Sequence, residues 1–331
     1  PEILELTGDK VAARAAFERS GFPILPGAGP FGSPEEAVQA AAELRYPVMV
    51  KVVMGGGGIG MGVARDEEGL RTAVATAAGR GERFFADASV YLERYVEGAR
   101  HVEIQILADE ARTIHLYERE CSVQRRHQKV LEETPSPALE AELRRRLCEA
   151  AVRSMDAIGY RGAGTVECVL TPEQDFFFLE ANARLQVEHP VTEVTTGVDL
   201  VEEQLRIAAG RGMSIPDVPE ADGHGMECRI SAEDPNRFLP SPGRIHRLRV
   251  PEGVRWDGGY DEGDEVPMFY DPLIGKLVVH AADRGVAIEA MRDALERIEI
   301  EGPRTNVATH LRILRDERFL RGTYDTGLLG A

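Results

Sequence analysis

Five polar residues at alternate positions, Glu180, Asn182, Arg184, Gln186 and Glu188, carry the strongest chemical signal in this 331-residue sequence. They interleave with Leu179, Ala181, Ala183, Leu185 and Val187, so an extended chain would put the polar groups on one face and the apolar ones on the other. A solvated strand face would alternate in the same way, although such faces favour Lys, Thr and Ser over carboxylate, amide and guanidinium. Glu167 falls in the adjoining predicted strand and can meet Glu180 across a hairpin. Two carboxylates and an amide oxygen are hard donors suited to Mg²⁺, which proteins hold through one or two carboxylates plus substrate phosphates. Arg184 and Glu188 could hold a small anion and remove a proton from it.

A glycine run, Gly55, Gly56, Gly57, Gly58, Gly60 and Gly62, lies between two predicted strands just after Lys51. Glycine lets the backbone approach a ligand closely, so successive N–H groups can cradle phosphate oxygens. The run lacks the GK[ST] of a P-loop, and no helix opens after it as a dinucleotide fingerprint requires. It reads as a flap over a nucleotide or as a plain surface hairpin. Lys51 favours the flap, because a lysine inside an apolar strand needs an anionic partner or a route to solvent. Gln124-Arg125-Arg126-His127-Gln128-Lys129 concentrates donors in an acidic chain and reads as an anion pocket or a solvated loop. Arg229 interrupts a short strand, which a surface ion pair explains as well as a site does. Lys10, in the first turn of the opening helix, and His101, at the start of a strand, gain meaning only from context.

The elements that would position these groups follow from caps and periodicity. Asp9 is an N-cap candidate for a helix over residues 9–20, and Ser33-Pro34-Glu35-Glu36 opens a second helix to about Arg45. Residues 47–53 read as a strand, and Asp66 caps a helix to Gly79. Strands follow at 89–95, 100–107 and 113–119, then one long helix over 137–158. A hairpin of 164–170 and 176–188, a helix at 198–209, a β meander over 211–280 and helices near 285–298 and 304–316 complete an α+β plan.

Composition bounds the rest. The net charge of −17 argues against a nucleic-acid surface, and 43% hydrophobic residues exclude disorder of the whole chain. No window is long and apolar enough to span a membrane, and the N-terminus carries no secretory signal, so a cytoplasmic protein with no membrane partner is expected. Cys121, Cys148, Cys168 and Cys228 form no CxxC pair and read as buried small hydrophobes.

Taken together, KVVMGGGGIGMG, LERYVEGARHVEIQIL, CSVQRRHQKVLEETPSP, EANARLQVEHPVTEVTTGVDLVEEQLRIAAG and ECRISAEDP resemble the biotin carboxylases of the ATP-grasp superfamily. These are the ATP- and bicarbonate-using components of acetyl-CoA, propionyl-CoA and pyruvate carboxylases. The resemblance runs from about Leu6 to the C-terminus. It implies an α+β ATP-grasp fold, with a small α/β lid subdomain, a larger antiparallel-sheet domain and a biotin carboxylase C-terminal domain. The expected divisions are a linker helix over 1–23, the lid with its flap over 24–96, the catalytic subdomain over 97–212 and the C-terminal domain over 213–331. ATP and Mg²⁺ (or Mn²⁺) are the implied cofactors. Lys10, Lys51, Gly57 and Gly58 would hold phosphates, and Glu93, Arg94, Tyr95, Val96, His101, Gln124 and His127 would read adenine and ribose.

Glu167 and Glu180 would bind both nucleotide and metal, with Asn182 as a third ligand. Lys129, Arg184, Gln186 and Val187 would form the bicarbonate pocket, Glu188 would be the base, and Arg229 would stabilise the biotin enolate. Departures from the family are Ile59 where a basic residue is common, Met54 and Gly62 in the flap, and no N-terminal Rossmann-like domain within the 331 residues. No biotin-attachment segment is present, so biotin is expected as a substrate that arrives free or on a separate biotin carboxyl carrier protein. A carboxyltransferase component and a homodimer are the other implied partners. The competing readings are a nucleotide-binding chain without full activity and an ATP-grasp ligase that couples carboxylate to amine.

Overall fold

The structure, a computed structural model, describes residues 1–53 and 61–330. Asp9 caps the helix Lys10–Arg19 by accepting from the Val11 and Ala12 N–H groups at 2.9 and 3.0 Å. A shorter helix, Glu2–Gly8, precedes it, so the helical segment expected over 1–23 is two helices that meet at Asp9. Four strands follow: β1 (Gly27–Phe31), β2 (Val48–Val52), β3 (Gly62–Ala64) and β4 (Val90–Arg94). They form a small sheet in the order β1-β4-β2-β3. The helices Pro34–Leu44 and Glu67–Phe85 pack on it through Ala37, Ala41, Leu70 and Val74.

The second of these helices continues six residues past the expected stop at Gly79. A Cβ at Gly81 would lie 2.3 Å from the Asp87 carbonyl oxygen, so that glycine permits a close backbone approach and does not end the helix. All five residues of β2 are buried, Lys51 among them.

A second sheet holds eight antiparallel strands. Six are β5 (Arg100–Ala108), β6 (Thr113–Arg125), β7 (Gln128–Thr134), β8 (Gly162–Leu170), β9 (Phe176–Asn182) and β10 (His224–Ser231). The strands Leu273–Ala281 and Arg255–Gly258 extend it beyond β10, and the final order is 255–258, 273–281, β10, β7, β6, β5, β8, β9. The sheet therefore passes without a break across the expected division at 212/213, because β10 pairs with β7. One face is apolar: Val102, Ile104 and Val166 meet the helix Ala141–Ala157, while Met226, Cys228 and Ile230 meet the helix Arg284–Arg297. By strand parity, His101, Glu103, Gln105, Glu227 and Arg229 face the other side.

β9 switches parity at a bulge. Glu167 pairs with Glu180 but Cys168 pairs with Phe178, so Leu179 is the extra residue. Phe178 can then stack on Phe17, ring centroids 4.0 Å apart, while Glu180 turns to the polar face.

One sequence expectation changes here. The strand over 176–188 ends at Asn182, and residues 183–188 bend and turn into the helix His189–Thr196. Pro190 lies in the first turn of that helix, where its missing N–H costs nothing. The donor-rich run 124–129 is a tight hairpin between β6 and β7 whose tip, 126–128, is exposed. Gln124 pairs with Lys129 and Arg125 with Gln128, and the two turn residues Arg126 and His127 have φ of 50° and 65°. Positive φ at both central positions matches the twist of a two-residue hairpin, yet neither residue is glycine, a strain typical of functional turns.

β7 also anchors the C-terminal helices. Glu133 accepts from His224 Nε2 at 2.7 Å, from Arg284 Nε and Nη2 at 2.7 and 2.9 Å, and from the Tyr324 hydroxyl. Burial works against its ionisation, but these donors outweigh it and hold the carboxyl down at about 2. A depressed folded value means the pairing contributes fully above the ordinary glutamate range and is lost as pH falls towards about 2. Glu133→Ala takes the carboxylate from the half-buried Arg284, which keeps only the Phe319 and Leu320 carbonyls, and from His224 and Tyr324, and is expected to lower stability by about 3 kcal/mol in urea unfolding. A loss under about 1 kcal/mol, the size of an exposed pair, would contradict the anchoring role.

Candidate active site

A cleft of about 820 Å³ lies over the polar face of the large sheet and under the small one. Nine lysines and arginines scattered from residue 10 to residue 229 line it: Lys10, Lys51, Arg94, Arg100, Arg125, Arg126, Lys129, Arg184 and Arg229. Glu93, Arg94, Tyr95 and Val96 come from the end of β4 and the turn after it, and His101, Gln124 and His127 from β5 and the β6–β7 hairpin. Glu167, Glu180, Gln186, Val187 and Glu188 complete the expected set, and Asn182 reaches it through Glu167 and Glu180. Gly57 and Gly58, like Met54 and Ile59, lie outside the described residues.

At the centre Lys129 is shared by three carboxylates. Its Nζ lies 3.0 Å from Glu167 and 2.6 Å from Glu188 and also pairs with Glu103. Burial opposes the ammonium, but Glu103, Glu167 and Glu188 prevail and raise Lys129 well above the usual lysine value. Glu188 meets a second cation, Arg229 Nη2, at 2.8 Å. Burial again works against ionisation, yet Lys129, Arg229 and Arg119 hold Glu188 well below the usual carboxylate range. The side chain is an ionised base between two cations. An incoming anion that draws those cations away would raise its proton affinity.

Beside this pair, Glu167 and Glu180 face each other across β8 and β9. Asn182 Nδ2 lies 3.0 Å from Glu167 and 3.3 Å from Glu180. His101 Nε2 lies 2.9 Å from Glu167 Oε2, an ion-pair distance with the ring off the hydrogen-bond direction, and Gln124 bonds its Nδ1 at 2.9 Å. Burial first and then the Glu167 charge push Glu180 up. Two juxtaposed carboxylates with one amide fit a divalent cation, with the amide turned to present oxygen. His101, Glu103 and Glu167 also bring donor atoms within 4.8 Å, and the Lys129 ammonium pairs with both of these carboxylates.

Under the small sheet, Lys51 pairs with Glu93, which also takes Arg14 at 2.6 Å, so the strand lysine has the anionic partner its burial demands. Arg184 is exposed at the mouth and reaches Gln186 at 3.1 Å. The alternation had placed Arg184, Gln186 and Glu188 on one strand face. They assemble instead through the turn 183–188, because Lys276 Nζ donates to the Val187 carbonyl at 2.9 Å and fixes it.

Four charged groups in or directly behind the site were not picked out from the sequence. Arg119, fully buried, holds Glu103 at 2.5 Å, Gln105 at 2.6 Å and Thr192 at 3.0 Å. Glu103, Glu132 and Lys276 are the others. Glu103 and Lys276 interrupt apolar strands as Lys51 does, whereas Arg119, between Glu118 and Glu120, and Glu132, beside Glu133, carry no such signal.

The family pattern described as "Carbamoyl-phosphate synthase L chain, ATP binding domain" matches residues 9–215, and "Biotin carboxylase C-terminal domain" matches 227–331. The chain is 46% identical to a biotin carboxylase of Halalkalibacterium halodurans, covering 99% of this chain and 74% of that one. A Campylobacter jejuni biotin carboxylase solved as a complex with β-γ-ATP superimposes with a TM-score of 0.95 at 41% identity, over 98% of this chain and 74% of that one. The biotin carboxylase domain dimer of Hydrogenobacter thermophilus 2-oxoglutarate carboxylase, solved with Mg-ADP, ADP and bicarbonate, gives 0.97 at 40%, over 99% and 74%.

Proposed function

The chain belongs to the biotin carboxylase family, and on that premise we propose that its cleft carboxylates biotin with bicarbonate at the expense of Mg-ATP, each charged residue acting where the geometry puts it. The observation that carries this reading is Glu188, ionised and buried between Lys129 and Arg229 beside the Glu167–Glu180–Asn182 donor set.

Bicarbonate enters the pocket of Lys129, Arg184, Gln186 and the Val187 backbone. Glu188 takes its proton while the cations offset the growing negative charge. An oxygen of the resulting carbonate attacks the γ-phosphorus and ADP departs, giving carboxyphosphate. Mg²⁺ held by Glu167, Glu180 and Asn182 would supply charge neutralisation at the phosphate oxygens. Lys10, Lys51, Gly57 and Gly58 bind the phosphates, and Glu93 to Val96 with His101, Gln124 and His127 hold adenine and ribose. Carboxyphosphate splits to CO₂ and phosphate, and the phosphate accepts the N1′ proton of biotin. Arg229 steadies the enolate oxygen while N1′ bonds to CO₂.

The lid role of residues 24–96, with the flap excluding water from the labile intermediate, is part of the same proposal. So are a homodimer, a biotin carrier protein, a carboxyltransferase component and a cytoplasmic setting. Among the described residues no helix is long and apolar enough to cross a membrane.

The test is transfer of label from bicarbonate to free biotin by the full-length protein, with ATP and Mg²⁺. Biotin-dependent incorporation is the expected result. ATP cleavage that responds to amines and not to bicarbonate would overturn the reading. Glu167→Gln with Glu180→Gln should weaken Mg²⁺-dependent ATP binding by more than the 10- to 100-fold that loss of an outer-shell partner costs. Calorimetry with and without Mg²⁺ measures it, and an unchanged metal dependence would refute that ligand set.

A further inference from the structure

Behind Arg229, two glutamates face each other across β7 and β10. Glu132 and Glu227 are register partners, and both are fully buried. Glu132 Oε1 accepts from Arg229 Nε at 2.7 Å and lies 2.6 Å from its Nη2. Its second oxygen has no partner among the described residues, and neither oxygen of Glu227 has one. Arg229 is divided, since Nη2 also serves Glu188. Lys276 is the register partner of Arg229 on the next strand, but its ammonium bonds the Val187 carbonyl at 2.9 Å and lies 3.4 Å from Asp257.

The charged groups around the pair are thus Lys129 from β7, Arg229 from β10, Lys276 and Asp257 from the two outer strands, and Glu188 from the turn. His189, at the start of the helix packed on β10, and Arg119 from β6 lie behind Glu188. Cys228 points to the opposite, apolar face. One guanidinium shared with a third carboxylate does not neutralise two more. Adjacent buried carboxyls in such a place share a proton and titrate as a pair.

We propose that Glu132 and Glu227 together hold a single proton and act as the support that sets the position and field of Arg229, with Glu132 as a positioning residue. Burial pushes both carboxyls up, Glu132 to about 7 despite the opposing Arg229 charge, and Glu227 well above the usual range with Glu132 adding to the effect. Glu132 occupies the Nε edge of the guanidinium, and among the described residues none accepts from Nη1, which remains for a ligand. The proton between the glutamates keeps a second negative charge from forming under Arg229. Such a charge would compete with the developing enolate oxygen for the same cation. This inference rests on the assignment of Arg229 to the biotin half-reaction.

The test uses Glu132→Gln and Glu227→Gln in the full-length protein. Glu132→Gln removes a charge-assisted bond, so biotin-dependent turnover should fall about 10- to 100-fold while bicarbonate-dependent ATP cleavage without biotin falls by a much smaller factor. A purely structural role would lower both together and overturn the positioning claim. The infrared difference spectrum of unaltered protein minus Glu227→Gln should show the C=O stretch of a protonated carboxyl at neutral pH, and its absence would overturn the shared proton.

Linkage gives a third reading. A folded value above the unfolded one means stability falls as pH rises beyond the ordinary glutamate range, and Glu227→Gln should remove that fall. If the unaltered protein carboxylates no biotin, the functional reading fails, and the infrared band and the pH dependence of stability still decide the shared proton.

Discussion

Glu188→Gln should reduce bicarbonate-dependent ATP cleavage by about 100- to 10,000-fold, the range that a positioned general base contributes. Glutamine has the same shape and keeps one acceptor oxygen for either Lys129 or Arg229, so the fold and the nucleotide subsite should persist. What disappears is the one carboxylate that, among the described residues, lies between both cations and can accept the bicarbonate proton. Steady-state rates with ATP, bicarbonate and biotin measure the loss, and calorimetry with Mg-ATP checks that the nucleotide still binds. A rate within a few-fold of the unaltered protein would mean that another group takes the proton.

Lys129→Met should produce the second large effect, on activity and stability together. Its ammonium is shared by Glu103, Glu167 and Glu188, of which Glu103 and Glu188 are fully buried. Removing it leaves buried negative charge short of a partner, at a cost of about 3–5 kcal/mol. The direction with pH follows from the same contacts. Lys129 is first among the charges that hold Glu188 down. Without it the Glu188 value rises, a base that must be ionised is lost sooner on acidification, and the acidic limb of the activity profile moves to higher pH. Lys129→Arg keeps the charge but replaces a compact ammonium with a planar fork, so stability should recover more than activity. An unchanged acidic limb in Lys129→Met would show that Lys129 does not tune the base.

The sequence displayed the caps and strands whose causes are local. Asp9, Ser33 and Asp66 each accept from the first turn of their helix, as the spacing of polar and acidic residues announces. It misled where a tertiary contact decides. Gly79 reads as a stop, but the chain needs its glycine two residues later for a close approach to Asp87. The alternation over 180–188 reads as one strand, but Lys276 and the helix at His189 hold the last six residues as a turn.

Glu132 and Glu133 are neighbours in the sequence, yet β7 sends the two side chains to opposite faces of the sheet. Their cationic partners, Arg229 and Arg284, lie 97 and 151 residues further on. No local pattern contains that information. The site itself was legible through the resemblance carried by RRHQK and RLQVEHPVTE more than through spacing. The charged neighbours Glu103 and Lys276 stayed hidden because each looks like an ordinary polar interruption of a strand, and Arg119 and Glu132 because each sits beside other charged residues.

The proposed function stands on attack of Glu188-activated bicarbonate on the γ-phosphate in this cleft. Turnover with oxygen-18-labelled bicarbonate tests it most directly, with the isotopic content of the released phosphate read by mass spectrometry. The mechanism predicts one bicarbonate oxygen in each phosphate, because carboxyphosphate breaks at its carbon–oxygen bond and leaves the bridging oxygen on phosphorus. Phosphate carrying oxygen only from ATP and water would contradict it.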